Sequence, residues 1–117
     1  MLATNKLDKE FLDKLAEIIE GNIGNVNLNN DLIAEKMNMS RASFYNKFKN
    51  LTGETPNEYL NNLRLSKATS MLVIEQGMSI ADIAYSLGFN SANYFSRKFK
   101  EKFGISPAQY RQEKAGQ

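Results

Sequence analysis

Apolar residues in this chain recur at intervals of three and four, the spacing of one face of an α-helix. Phe11, Leu12, Leu15, Ile18 and Ile19 predict an amphipathic first helix from about Asp8 to Glu20, followed by a loop from Gly21 to Leu28. Leu32, Ile33 and Met37 predict a short second helix capped by Asn29 or Asn30. Phe44, Phe48 and Leu51 stand at i, i+4 and i+7 and predict a third helix from Arg41 to Leu51. Thr55 as N-cap, Pro56 at the first helical position and Glu58 three residues on open a fourth helix that runs to about Glu75. Its apolar stripe is drawn from Tyr59, Leu60, Leu63, Met71, Leu72 and Ile74. Ser79, with Asp82 at N3, starts a fifth helix bearing Ile80, Ile83, Ala84 and Leu87 and ending at Gly88. Phe95 and Phe99 mark a sixth from Ser91 to Phe103, and Ser106-Pro107 with Gln109 starts a short last one, beyond which Glu113 to Gln117 are expected to fray. The fold class is all-α, with about seven helices.

Two of these stretches are copies of each other. Ile33-Ala34, Met37-Asn38-Met39 and Ser40 match Ile83-Ala84, Leu87-Gly88-Phe89 and Asn90 at an offset of 50. After one inserted residue, Phe44, Phe48, Lys49, Gly53, Pro56 and Tyr59 match Phe95, Phe99, Lys100, Gly104, Pro107 and Tyr110 at an offset of 51. Each copy reads as two helices joined by a tight corner, a helix-turn-helix. Asn38 and Gly88 occupy the corner, and both residue types tolerate the left-handed backbone it requires. Ala34 and Ala84 are small where two helices cross closely. Core packing accounts for Met37, Met39, Met71 and Met78.

The second helix of each copy carries the candidate chemistry. With Phe44, Phe48 and Leu51 inward, the opposite face presents Ala42, Asn46 and Lys49, with Arg41 and Tyr45 beside them. With Phe95 and Phe99 inward, the outer face presents Asn93, Arg97 and Lys100, flanked by Ser96. Neither stripe contains an acid. Arginine, asparagine and serine hydrogen-bond to base edges, whereas lysine suits phosphates. Charge agrees: residues 40–50 and 90–103 each carry +3, which leaves −4 for the remainder of a chain whose net charge is +2. Basic residues are thus gathered in two places, as two phosphate-facing surfaces require, although any single charge run is more often a solvated helix face.

Composition removes most other chemistry. The 117 residues include no cysteine, histidine or tryptophan, so disulfides, thiolate or imidazole metal sites and histidine acid–base catalysis are excluded. No P-loop, dinucleotide-binding glycine loop or serine nucleophile elbow occurs, and the expectation is a non-enzyme with no cofactor and no metal. No apolar run reaches the length of about 20 residues that spans a bilayer. Met1 to Lys9 is polar and has no secretory apolar core, so a cytoplasmic protein is expected. Two functions remain: sequence-specific binding of duplex DNA, or a helical protein-interaction module that is basic on two faces. RNA binding is weaker, since no aromatic-rich sheet motif is present. The fourth helix favours the first, because at about 1.5 Å per residue its roughly 19 residues span about 28 Å, against about 34 Å for one DNA turn.

The segment SIADIAYSLGFNSANYFSRKFKEKFGISPAQYR, Ser79 to Arg111, resembles the signature of the AraC/XylS-type transcription regulators nearly position for position. SRASFYNKFKNLTG, Arg64-Leu65 and Ala68 are similar to that family's more variable half, and the likeness covers about residues 8–113. The resemblance implies one DNA-binding domain over residues 1–117, with helix-turn-helix units at about 8–54 and 79–113 joined by a linker helix at about 56–75. It implies insertion of two recognition helices into successive major grooves. Base contacts would fall to Arg41, Ala42, Tyr45 and Asn46 in the first unit and to Asn93, Ser96 and Arg97 in the second. Phosphate contacts would fall to Ser40, Lys47, Lys49, Ser91, Lys98 and Lys100. Ala42 departs from the pattern, since its methyl group offers at most a contact to a thymine methyl. The implied partners are double-stranded DNA, RNA polymerase and an upstream sensor or effector domain in a longer bacterial protein. There is a looser likeness to the output domains of hybrid two-component sensors.

Overall fold

The computed structural model describes residues 6–115; the first five positions of the polar N-terminal stretch and the last two of the tail lie outside the described residues. The helices are α1 (Lys6–Asn22), α2 (Asn30–Lys36), α3 (Arg41–Thr52), α4 (Pro56–Ile74), α5 (Ile80–Ser86), α6 (Ala92–Phe103) and α7 (Pro107–Ala115). The chain divides into two compact units. One comprises the chain up to Ile23 together with Asn27–Asn61, the other Gly24–Val26 together with Asn62–Gln117, so α4 begins in the first and ends in the second.

The first unit packs α1, α2, α3 and the start of α4. Phe11, Leu15 and Ile19 form the buried face of α1, and Phe44 and Phe48 of α3 are 0% and 1% exposed. Ring contacts connect them: Phe11 to Phe44 at 6.1 Å, Phe44 to Phe48 at 5.9 Å, and Phe48 edge-on to Tyr59 at 5.2 Å. In the second unit Leu65, Ala68 and Leu72 of α4 pack with Ile83, Ala84, Leu87, Phe89, Phe95 and Phe99. Phe99 meets Tyr110 edge-on at 5.6 Å, repeating the Phe48–Tyr59 contact at the duplicate positions. Burying one such phenylalanine stabilises the unit by about 1.5–3 kcal/mol.

Several details differ from the pattern-based expectation. The first helix starts before Asp8 and continues to Asn22, and the last continues through Glu113 to Ala115 rather than fraying there. Ile74 is not part of the α4 stripe: two residues beyond buried Leu72 it lies about 200° around the helix, and it is 74% exposed. Within the loop expected from Gly21 to Leu28, which begins after Asn22, Gly24–Val26 belongs to the second unit. Arg64, itself buried, donates from Nη2 to the Asn25 carbonyl at 2.9 Å and lies over the Phe89 ring at 5.9 Å. Burial pushes its pKa below the ordinary arginine value. Next to that bond, a Cβ on Gly24 would meet the Ser86 carbonyl oxygen at 2.7 Å, so only glycine allows this close approach.

Candidate nucleic-acid interface

Backbone bonding makes the two corners equivalent. Asn29 Oδ1 accepts from the Leu32 N–H at 2.9 Å and Ser79 Oγ accepts from the Asp82 N–H at 3.0 Å, fixing the starts of α2 and α5. Asn29, not Asn30, is the cap. At the other ends Met39 N–H donates to the Ala34 carbonyl and Phe89 N–H to the Ala84 carbonyl, both at 3.0 Å. Asn38 and Gly88 sit between at φ 57° and 94°, in the left-handed region that this closure needs. Ser40 and Ser91 then cap α3 and α6, accepting from the Ser43 and Tyr94 N–H groups at 3.2 and 3.1 Å. Gly53 and Gly104 close these helices at φ 78° and 85°.

The inward phenylalanines fix which faces of α3 and α6 are left outside. On α3, Arg41, Ala42, Asn46 and Lys49 are exposed and Tyr45 is half-buried, with the Lys49 ammonium over its ring at 6.0 Å. On α6, Asn93, Arg97 and Lys100 are exposed and Ser96 is half-buried. Arg97 and Lys98 both lie over the Tyr94 ring, at 5.5 and 5.7 Å. The ring orients the guanidinium and leaves its planar fork of donors available. Arg41, Ala42, Tyr45, Asn46 and Asn30 surround a concavity of about 410 Å³ on the first unit.

The expected phosphate contacts fall into three environments. Ser40 and Ser91 use Oγ as the cap acceptor, which leaves each hydroxyl hydrogen as a donor. Lys49 and Lys100 are exposed, and Lys98 is half-buried with Nζ 3.3 Å from the Glu101 carboxylate. Lys47 turns towards α1, with Nζ 3.7 Å from Asp8 Oδ1 and over the Phe11 ring at 5.2 Å. Sequence reasoning missed two residues that shape this face. Tyr94 underlies Arg97, a relation that its i, i+3 spacing signals. Asp31 pairs with Arg41 from a different helix, and no spacing rule signals that.

Two helix-turn-helix units in one chain, each presenting an acid-free outer stripe on its second helix, define a tandem helix-turn-helix protein. The helix-turn-helix domain family model matches residues 33–113. Over 109 residues the chain is 33% identical to histidine kinase P4 of Formosa agariphila, covering 93% of this chain and 8% of that protein. It is 40% identical over 89 residues to the HTH-type transcriptional activator RhaS of Escherichia coli, covering 76% of this chain and 32% of RhaS. The chain therefore spans a small part of the curated relatives it matches. A transcriptional regulator structure from Chromobacterium violaceum, described as having an AraC-type DNA-binding domain, superposes with a TM-score of 0.82 at 31% identity, covering 95% of this chain and 97% of that one. The DNA-binding domain of AdpA, solved in complex with a target DNA, superposes with a TM-score of 0.77 at 28% identity, covering 86% and 91%. This chain belongs to the AraC/XylS-type helix-turn-helix family.

Proposed function

We propose that the chain is the sequence-specific, duplex-DNA-binding domain of a bacterial transcription regulator, with its two units acting as one domain and α3 and α6 entering successive major grooves. One observation carries this reading: two units with the same corner present, at duplicate positions on the outer face, Ala42/Asn93, Asn46/Arg97 and Lys49/Lys100, all exposed, and half-buried Tyr45/Ser96, with no acid among them. The solved complex of a relative with its target DNA supports the partner class.

On this reading Arg97 forks to guanine O6 and N7, Asn46 and Asn93 pair with adenine, and Ala42 touches a thymine methyl. Arg41, Tyr45 and Ser96 complete the base-facing set. Lys49, Lys98, Lys100 and the hydroxyls of Ser40 and Ser91 hold phosphates, while Lys47 reaches one only by exchanging Asp8 for it. The role is binding rather than catalysis, in the cytoplasm, with RNA polymerase and a sensor or effector domain as further partners. No helix among the described residues is long and apolar enough to cross a membrane.

Titrating binding against salt tests the reading. Neutralising about six to eight phosphates makes log K fall against log salt with a slope of about −5 to −7. A slope near zero supports instead a protein-interaction module docking through apolar contacts.

A further inference from the structure

The two copies differ in polarity where the start of α2 meets the start of α3. In the first, Arg41 Nε lies 3.1 Å from Asp31 Oδ1, with the side chains 76% and 64% exposed. At the duplicate positions the second copy has Ala81 and Ala92, and where the first has Asn30 the second has Ile80. The second copy closes the same corner with the same backbone bonds without any of these polar groups, so the pair is not needed to build the corner. An ion pair this exposed contributes little to stability. Its effect is geometric.

A guanidinium is a rigid planar fork, and holding Nε fixes the direction of the two terminal nitrogens. Arg41 borders the concavity formed with Ala42, Tyr45 and Asn46. Asn30 Oδ1, at the edge of that concavity, is buried with no hydrogen-bond partner, which marks the spot as polar by construction in this copy alone. The terminal nitrogens are the edge that meets guanine O6 and N7. The Asp31 carboxylate also repels phosphates, which penalises Arg41 as a simple backbone clamp. We propose that Asp31 is a specificity-determining positioning residue, which aims the Arg41 fork at one guanine-containing base pair. This rests on the DNA-binding reading of the same face.

The test uses the full chain and the duplex it selects from a random library. Arg41→Ala identifies the base pair concerned as the one where preference disappears. At that pair the wild-type chain should discriminate by at least about tenfold, and Asp31→Ala should reduce this to less than about threefold. Affinity for unrelated duplex should rise, and preferences at other positions should stay. Asp31→Asn keeps an acceptor and should recover part of the discrimination; it also keeps the comparison available if Asp31→Ala fails to fold. In an Arg41→Ala background, Asp31→Ala should change no base preference. The proposal is overturned if Arg41→Ala leaves the profile intact, if both Asp31 variants keep the preference at that pair, or if they weaken every position equally. A chain that selects no sequence at all overturns the DNA-binding reading itself, which is a separate result.

Discussion

Arg111 should be worth more to the second unit than an exposed-looking arginine near a chain end suggests. From α7 its Nε donates to the Leu72 carbonyl at 2.9 Å and Nη2 to the Glu75 carbonyl at 3.1 Å. Leu72 lies in the last turn of α4, where carbonyls have no partner within the helix, and the cation also faces the negative end of the helix dipole. The partly buried Leu72 contact is worth about 1.5 kcal/mol, the exposed Glu75 contact well under 1, and the dipole about 0.3–1 kcal/mol. Arg111→Met keeps most of the stem and removes the donors, so the expected loss is about 2 kcal/mol. At about 4 °C per kcal/mol for a chain of this size, that lowers Tm by about 8 °C, read by circular dichroism. Arg111→Lys should recover only part, because one ammonium does not reproduce a fork across two carbonyls. A melt that moves by less than about 2 °C for Arg111→Met, or full recovery by lysine, refutes the reasoning.

Arg64→Met removes the bond to the Asn25 carbonyl and the stacking on Phe89, and should destabilise the chain by about 2 kcal/mol in urea denaturation; unchanged stability contradicts the tie. Gly104→Ala costs about 1–2 kcal/mol through left-handed strain alone, since nothing lies within 4 Å of the added carbon. Gly104→Asn should be tolerated better, whereas at Gly24 the obstacle is the Ser86 carbonyl, so alanine and asparagine should both destabilise there. Equal behaviour of the two glycines would falsify that distinction. Lys49→Ala or Lys100→Ala should weaken DNA binding uniformly across sequences and reduce the salt slope by about one, whereas loss confined to one base position would make the residue a base reader.

Much of this architecture was legible in the pattern because it is set by local chemistry. Ser79, Pro56 and Pro107, and Asn38 and Gly88 each specify a helix start or corner through their own backbone preferences, and the structure uses all of them in that way, whereas the caps at Ser40 and Ser91 emerge only in the structure. The duplication supplied the rest, since Phe44/Phe95 and Phe48/Phe99 imply the same buried face twice. What remained hidden depends on partners distant in sequence. Arg64 and Arg111 each bind a backbone carbonyl more than 35 residues away, and a carbonyl has no residue identity to read. The direction of Lys47 depends on Asp8. Asp31 escaped notice because an acid in the first turn of a helix already has an ordinary explanation in the helix dipole.

Selection of duplex DNA by this chain from a fully random library tests the central claim most directly. The account predicts enrichment of two short half-sites about one helical turn apart, roughly 10 base pairs, with Arg97→Ala erasing preference at one base pair of one half-site. A library that emerges unenriched, or a site in which neither α3 nor α6 substitutions alter any base preference, contradicts it.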